Sequence, residues 1–193
     1  GTYTPGQWQA FLREAMARTA EERATLAADV SRVSEKLHLR HGRATLPFPT
    51  AILLEALATI PGVALLIIGR KKPSNVAMLA SAGILSTTMQ PLVKTSVGNA
   101  LGIRYAYAYL KGIEPSFKMR YGTYFAAPRW KRIIVQASGG VGTPLALWTV
   151  GAVAAGEPKL RVSATICRVF ASLLTLMQLV FFGAGAAGVQ RIG

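Results

Sequence analysis

One run of nineteen residues, Ala51 to Gly69, constrains the fold of this chain more than any other feature. Its single ionisable side chain is Glu55, and Arg70, Lys71 and Lys72 follow it directly. At about 1.5 Å per residue, a helix of this length crosses a hydrocarbon core of about 30 Å. Pro61 near the centre predicts a kink, which a membrane helix tolerates when its neighbours satisfy the freed backbone groups. The run therefore predicts a transmembrane helix.

Three further apolar segments follow it: Val76–Val93, Ile133–Gly156, and a last segment that begins at Val162 or Val169 and ends at Val189. Short polar turns join the first segment to the second and the third to the fourth. The predicted fold class is therefore all-α and integral to a membrane, with four transmembrane helices in two hairpins, residues 51–93 and 133–193. A long N-terminal amphipathic helix precedes them.

Breaker and capping residues predict where the spans begin and end. Ser74 is expected to cap the second span, and the Gln90-Pro91 pair to mark its far end. The second span is rich in small and hydroxyl side chains, which let helices approach closely in a bilayer. Gly139, Gly140, Gly142 and Pro144 crowd the third span. We expect these glycines to admit a neighbouring helix; the alternative is a broken helix that lines a solute site.

The N-terminal region, residues 1–50, predicts one helix from Pro5 to about His38 and then a Pro-rich linker that stays extended to Thr50. Thr50 is expected to cap the first span. Leu26, Val30, Val33 and Leu37 form a narrow apolar seam, and acids and bases mix on the polar face. A lipid-seeking helix is usually basic on that face, so packing against another protein is favoured over lying on the membrane.

The connector, residues 94–132, carries eight basic residues and one acid, Glu114, with aromatic side chains between them. Aromatic rings beside Lys and Arg are typical of the head-group zone of a bilayer. The pattern predicts a short interfacial helix around Ala100 to Leu110. With four spans, the N-terminal region, the connector and the C-terminus share one side of the membrane and hold sixteen basic residues, against six on the other side. The excess places that side in the cytoplasm, matrix or stroma.

Candidate chemistry is sparse in this sequence. Glu55 and Arg168 are the ionisable groups inside spans, and each lies within about two turns of a span end. We expect them to snorkel or to form ion pairs with partner subunits; a proton or anion path is the alternative. His38 and His41 lack neighbouring ligands for a metal, the single Cys167 excludes an internal disulfide, and no catalytic set is apparent. No metal or other cofactor is expected.

The net charge and the apolar content together limit the classes of partner that this chain can bind. A net charge of +14 would suit nucleic acid, but no binding motif accompanies it, and 51% hydrophobic residues favour anionic lipid instead. Seven residues at the span ends are predicted to bind lipid such as cardiolipin: Arg70, Lys71, Lys72, Arg129, Trp130, Lys131 and Arg132. Other subunits of a membrane complex are the expected protein partners.

These features predict a non-catalytic accessory subunit of a large complex rather than an enzyme. A start at Gly1 fits removal of a targeting segment and fits an incomplete sequence equally well. A processed, basic, multi-span chain would suit the mitochondrial inner membrane with the connector on the matrix side. The complex would be the respiratory chain or ATP synthase; another organellar or bacterial inner membrane is the alternative compartment. The alternative function is a small transporter or channel, with its site at Glu55 and the Gly/Pro-rich third span.

Overall fold

A computed structural model describes residues 5–40, 44–111 and 114–186. Most of this chain is helical, and four of its helices are long and apolar enough to cross a membrane, as predicted. The elements in chain order are α1 (Pro5–Ala17), α2 (Ala20–Arg40), β1 (Thr45–Pro47), α3 (Phe48–Lys71), α4 (Asn75–Ala100), β2 (Tyr105–Lys111), β3 (Glu114–Met119), α5 (Tyr121–Ala126), α6 (Arg129–Ala155) and α7 (Arg161–Ala186). A single 3₁₀ turn, Pro158–Leu160, separates α6 from α7.

The four spans α3, α4, α6 and α7 pack as two hairpins in a row. Helix α4 lies between α3 and α6, and α6 lies between α4 and α7. Large apolar side chains therefore remain exposed on the outer helices, for example Ile60 on α3 and Leu176 on α7. In water such a surface would be costly, whereas lipid chains cover it at no cost, so the exposed faces of α3 and α7 are the lipid-facing surface.

Two helix ends differ from the sequence-based prediction, and a third agrees with it. Pro47, not Thr50, is the N-cap of α3, because the helix already begins at Phe48. Pro91 lies buried inside α4, and the helix continues to Ala100, so Gln90-Pro91 does not end the second span. A buried proline is accommodated here because α4 is packed on both sides and a helix satisfies the remaining backbone groups. The predicted Ser74 cap is confirmed: its side chain accepts a hydrogen bond from the Ala77 backbone N–H at 3.3 Å.

Helix α4 ends in a glycine turn that directs the chain into the sheet. Gly102 has a φ of +84°, where glycine is strongly favoured. The Ile103 N–H donates to the Gly98 carbonyl at 2.8 Å, and the Gly102 N–H donates to that of Asn99 at 3.1 Å. These two bonds form a Schellman motif, which satisfies carbonyls at the helix end.

The connector folds as a β-hairpin, so the predicted interfacial helix around Ala100 to Leu110 is wrong. Strand β2 pairs antiparallel with β3 and with β1, giving the strand order β1-β2-β3. The sequence signal was present in Tyr105, Tyr107 and Tyr109, because tyrosines at every second position are typical of a strand.

The N-terminal region is also different, since two helices replace the predicted single helix. The chain breaks at Arg18 and Thr19, where Thr19 and Glu22 form a capping box: the Thr19 N–H donates to the Glu22 carboxylate at 2.9 Å, and the Glu22 N–H to the Thr19 hydroxyl at 3.4 Å. The backbone N–H of Thr19, and after it the Thr19 hydroxyl, which also donates to the Glu22 carboxylate at 2.9 Å, lower the pKa of Glu22.

Helices α1 and α2 pack with the sheet and α5 into a small domain at one end of the bundle, here called the cap domain. Its core holds Leu12 and Val30 from the N-terminal helices and Phe125 from α5, all nearly inaccessible to solvent. Part of the predicted seam is therefore buried within this chain: Val30 packs inside the core, whereas Val33 stays exposed. The cap domain lies on the connector side of the spans, because β1 leads into α3 and β2 follows α4.

The glycines of the third span do admit neighbouring helices, as predicted. A Cβ atom at Gly142 would lie 2.5 Å from the Gln90 Cα, so the backbones of α4 and α6 are in contact there. Gly139 faces the aliphatic part of Lys94 on α4, and Gly140 faces the Gln178 amide on α7. Helix α6 runs without interruption from Arg129 to Ala155 through Pro144, so the broken-helix alternative is not observed.

We expect Gly142→Ala to destabilise the protein by about 1–3 kcal/mol, because the added methyl group overpacks a backbone contact that cannot relax as a side chain would. Gly83→Ala is the matched control. It lies inside α4 with no atom within 4 Å of its Cβ position, so its better helix propensity should leave stability unchanged or slightly raised. Thermal unfolding in the same detergent measures the stability of both variants. Equal melting temperatures for the two variants would contradict the backbone contact between α4 and α6 at Gly142.

Candidate functional site

The cap domain contains a cleft of about 410 Å³ between α2, the sheet and the start of α5. Its walls carry Ser31, Ser34 and Glu35 from α2, with Tyr107, Lys118 and Arg120 opposite. Lys118 donates to the Tyr121 hydroxyl at 3.1 Å and lies 4.6 Å from the centre of that ring. The lining thus includes serine and tyrosine hydroxyls with one acid and two bases, which can bind a polar group by charge-assisted hydrogen bonds.

Tyr105 and Tyr107 of the sheet stay neutral at physiological pH. Burial raises the pKa of Tyr107 to about 12, and smaller electrostatic effects of Tyr109, Glu35 and Tyr121 act in the same direction. Burial raises the pKa of Tyr105 to about 12 as well. A neutral phenol donates and accepts hydrogen bonds but is a poor base near pH 7, so these residues suit recognition rather than proton abstraction.

Tyr105 also joins the cap domain to the spans. Its ring stacks on Phe48 of α3 with ring centres 5.4 Å apart, and its hydroxyl donates to the Lys94 carbonyl of α4 at 3.0 Å. Gly98 leaves the space for this ring, since a Cβ there would collide with the Tyr105 hydroxyl. One side chain thereby fixes the sheet against two spans.

The two charges predicted inside the spans lie far apart. Glu55 is half-buried on α3, two turns from the connector side, on the same face as Ala51 and Gly62. Arg168 is exposed on α7, two turns from the opposite end. Within the residues that the structure describes, neither forms an ion pair. Pairing within the chain is therefore not observed, and pairing with partner subunits stays a prediction.

Sequence reasoning missed Lys94, which it placed just beyond the second span. The structure puts Lys94 inside α4, where its aliphatic chain lies along Gly139 of α6. The part of the chain that the structure describes supplies no acid that pairs with it. The signal was weak, because Pro91 suggested a helix end three residues earlier.

The first set of predicted lipid-binding residues lies on the turn side, the end of the bundle opposite the cap domain. Lys71 and Lys72 are exposed there, but Arg70 is held by the neighbouring turn. It donates to the Glu157 carboxylate at 3.2 Å and to the Gly156 carbonyl at 3.0 Å. Beside it, the Asn75 side chain accepts a hydrogen bond from the Ser163 N–H at 3.1 Å, so the two hairpins are joined at this end.

The second set lies where the cap domain meets α6. Arg129 and Trp130 are exposed, and Lys131 lies with its ammonium 5.6 Å from the Trp130 ring. Arg132 is different, since only 5% of it is exposed. Binding of lipid by either set stays a prediction, with Arg70 and Arg132 the least accessible members.

The cysteine and histidine side chains add little to the evidence for a functional site. Cys167 is buried in the contact between α6 and α7. His41 and the side chain of His38 lie outside the described part of the chain. In residues 5–40, 44–111 and 114–186, no three His, Cys, Asp or Glu side chains gather where they could hold a metal ion.

Comparison with known proteins does not assign this chain to a family. No protein-family model, no curated protein and no solved structure matches it. The functional argument therefore depends on the charges, surfaces and cavities of the chain itself.

An alkaline titration tests the environment of the two buried tyrosines. Because the folded pKa of about 12 lies above the usual value of 10, their contribution to stability is complete below pH 10 and is lost as the pH rises through 12. We expect the ultraviolet signal of tyrosinate to show a late component near pH 12 in the folded protein. Tyr105→Phe and Tyr107→Phe should each reduce it. A late component unchanged in both variants would refute the assignment.

Proposed function

We propose that this chain is a non-catalytic accessory subunit of a large mitochondrial inner-membrane complex, of the respiratory chain or ATP synthase. In this role it holds neighbouring subunits together and binds anionic lipid such as cardiolipin. The observation that carries the proposal is an apolar groove on the cap domain, outside the four spans.

The groove has a volume of about 340 Å³ and lies between α1 and α2. Apolar side chains form most of its lining, with Gln7 and Asp29 as the polar members: Trp8, Phe11, Leu26, Val30, Val33 and Leu37. Phe11 is 40% exposed and Val33 is 43% exposed. An exposed apolar groove between two helices, outside the lipid-facing belt of the spans, is typical of a protein-binding surface.

An amphipathic helix of a neighbouring subunit is the occupant that this groove fits best. Two adjacent helices present ridges on which a third helix can pack through residues spaced three and four apart. The surrounding charges argue against a lipid surface as the occupant. Glu14 pairs with Arg18 at 3.3 Å and Asp29 with Arg32 at 2.6 Å, whereas a lipid-seeking helix carries a mainly basic polar face.

The proposed orientation within that membrane is supported by the charge distribution. The chain has a net charge of +14, and the connector side carries most of its basic residues. By the positive-inside rule this side faces the matrix. Basic side chains near the surface are attracted to anionic head groups, and cardiolipin is the phospholipid proposed to bind there.

A transporter is less well supported by the geometry. Its strongest sequence argument was a third span broken at the glycines, and α6 is continuous there. Glu55 remains as the candidate group on a solute path. Proteoliposome flux that disappears in Glu55→Gln would favour the transporter over the subunit.

We expect Val33→Asp to reduce incorporation into the complex at least about tenfold, because it buries an unpaired carboxylate in the groove. Ala28→Asp introduces the same charge at an exposed position of α2 outside the groove and should assemble normally. Blue-native electrophoresis of purified mitochondrial inner membranes measures both variants against the unmodified chain. The proposal fails if the unmodified chain is absent from these membranes or migrates alone, and the groove is excluded as the contact if Val33→Asp assembles like the control.

A further inference from the structure

Lys94 is a basic residue that lies inside a span rather than at its end. It is half-buried on α4, about 9 Å from the end of that helix at Ala100, at about 1.5 Å per residue. Its Cδ lies 3.1 Å from the position of a Cβ atom at Gly139, so the aliphatic part of the side chain packs on α6. Within the part of the chain that the structure describes, no ion pair includes Lys94. A carboxylate from another chain can therefore pair with its ammonium.

Lys94 lies at one end of a stripe along one face of α4. The other members of the stripe follow each other at spacings of three and four residues, and all of them are exposed. We call the whole set the α4 face, and its members are Ala80, Gly83, Thr87, Gln90 and Lys94. Residues at this spacing form the seam through which one helix packs on another.

The α4 face differs in composition from the lipid-facing surface of the outer helices. Helices α3 and α7 expose large apolar side chains such as Ile60 and Leu176, whereas the α4 face presents a hydroxyl, an amide and an ammonium group. Lipid chains offer no hydrogen-bonding partner to Gln90 or Lys94, so a covering of lipid alone leaves these groups unsatisfied. Gly83 has no atom within 4 Å of its Cβ position, which leaves its backbone open to a close neighbour. A protein helix meets both conditions.

The charge of Lys94 determines which helix fits. Ionisable side chains inside a membrane pair with one another, so a helix with an acid at the same depth is the complement of this face. A second copy of this chain in the same orientation would bring two Lys94 side chains to one depth, where like charges repel. A lipid head group reached by snorkelling would satisfy Lys94 alone, and it would leave Gln90, one turn deeper, without a partner. Charge and depth together favour an acid-bearing protein helix.

We propose that the α4 face binds a transmembrane helix of a partner subunit that carries an Asp or Glu at the depth of Lys94. The carboxylate accepts from the Lys94 ammonium, and a small residue opposite Gly83 allows the two backbones to approach closely. The Thr87 hydroxyl donates to the Ile84 carbonyl at 2.8 Å, so its oxygen is left to accept a hydrogen bond from the partner. This inference names a partner for the accessory-subunit function proposed above and rests on it.

The test uses the purified full chain in phosphatidylcholine liposomes with synthetic transmembrane peptides as probes. The probe peptide consists of alanine and leucine and carries a glutamate about 9 Å from each end, so that either orientation presents an acid at the depth of Lys94. Matched peptides carry glutamine or leucine at the same positions. Energy transfer from the tryptophans of the chain to a dansyl group on the peptide measures association. We expect the glutamate peptide to bind about tenfold more tightly than the glutamine peptide.

Two variants of the chain separate the α4 face from the general properties of the protein. Lys94→Met keeps an unbranched side chain along Gly139 and removes the charge, so it should abolish the preference for the glutamate peptide. Gly83→Leu has space for its side chain in the isolated chain, so it should keep the melting temperature and weaken binding of the peptide about tenfold. Lys36→Met is the control, because it removes an equal charge from an exposed position of α2.

The same experiment identifies the other occupants. Equal binding of the glutamate and leucine peptides, or an equal loss in Lys36→Met and Lys94→Met, overturns the proposal. Cardiolipin that displaces the glutamate peptide from the unmodified chain identifies a lipid head group instead, and cross-linked dimers that Gly83→Leu abolishes identify a second copy; either result also overturns it. Absence of peptide binding by a chain that assembles on blue-native gels refutes this inference alone. Peptide binding by a chain that migrates alone refutes the proposed function alone.

Discussion

Close contact between the backbones of α4 and α6 is the constraint on which the rest of the structure depends. Lipid chains are as apolar as leucine, so these helices are not held together by the hydrophobic effect that assembles a soluble core. Short-range packing has to replace it. At Gly142 the absence of a side chain brings the α6 backbone against Gln90, and the Thr143 hydroxyl adds a hydrogen bond to the Ser86 carbonyl at 3.0 Å. This contact between α4 and α6 joins the two hairpins.

The cap domain depends on the same spans for its position. The Gly102 turn ends α4 and directs β2 back across α3, where Tyr105 stacks on Phe48 and bonds to the Lys94 carbonyl. The sheet then supports α5, whose Tyr124 and Phe125 form a core with α1 and α2. The apolar groove, which carries the proposed function, is a consequence of this packing, because it lies between α1 and α2.

The proposed function depends on the burial of apolar surface. The groove offers apolar area outside the lipid belt, and a helix of a neighbouring subunit removes that area from water. A subunit that holds both a protein helix and a lipid would tie its neighbours and the bilayer to the same small domain.

The sequence by itself determined the elements whose causes are local. Apolar runs of membrane length determined the four spans, Ser74 determined a cap, and the small residues of the third span indicated close helix contact. Two local signals were present and were overlooked: the Thr19/Glu22 capping box that breaks the N-terminal helix, and the alternating tyrosines that form β2. The helix continues through Pro91, although proline usually ends or kinks a helix. Packing on both sides of α4 outweighs the hydrogen bond that Pro91 cannot form.

Only the tertiary structure decided where charges far apart in the sequence come together. Arg132 contacts Met16 across 116 positions, and Arg70 contacts Glu157 across 87. No local pattern encodes such pairs, since they depend on how the helices pack and on where the chain turns. Helix packing also explains why some of the predicted lipid-binding residues are exposed and others are buried. Their residue types were visible in the sequence, but the packing of α1, α2 and α5 against α6 determined how much of each remains accessible.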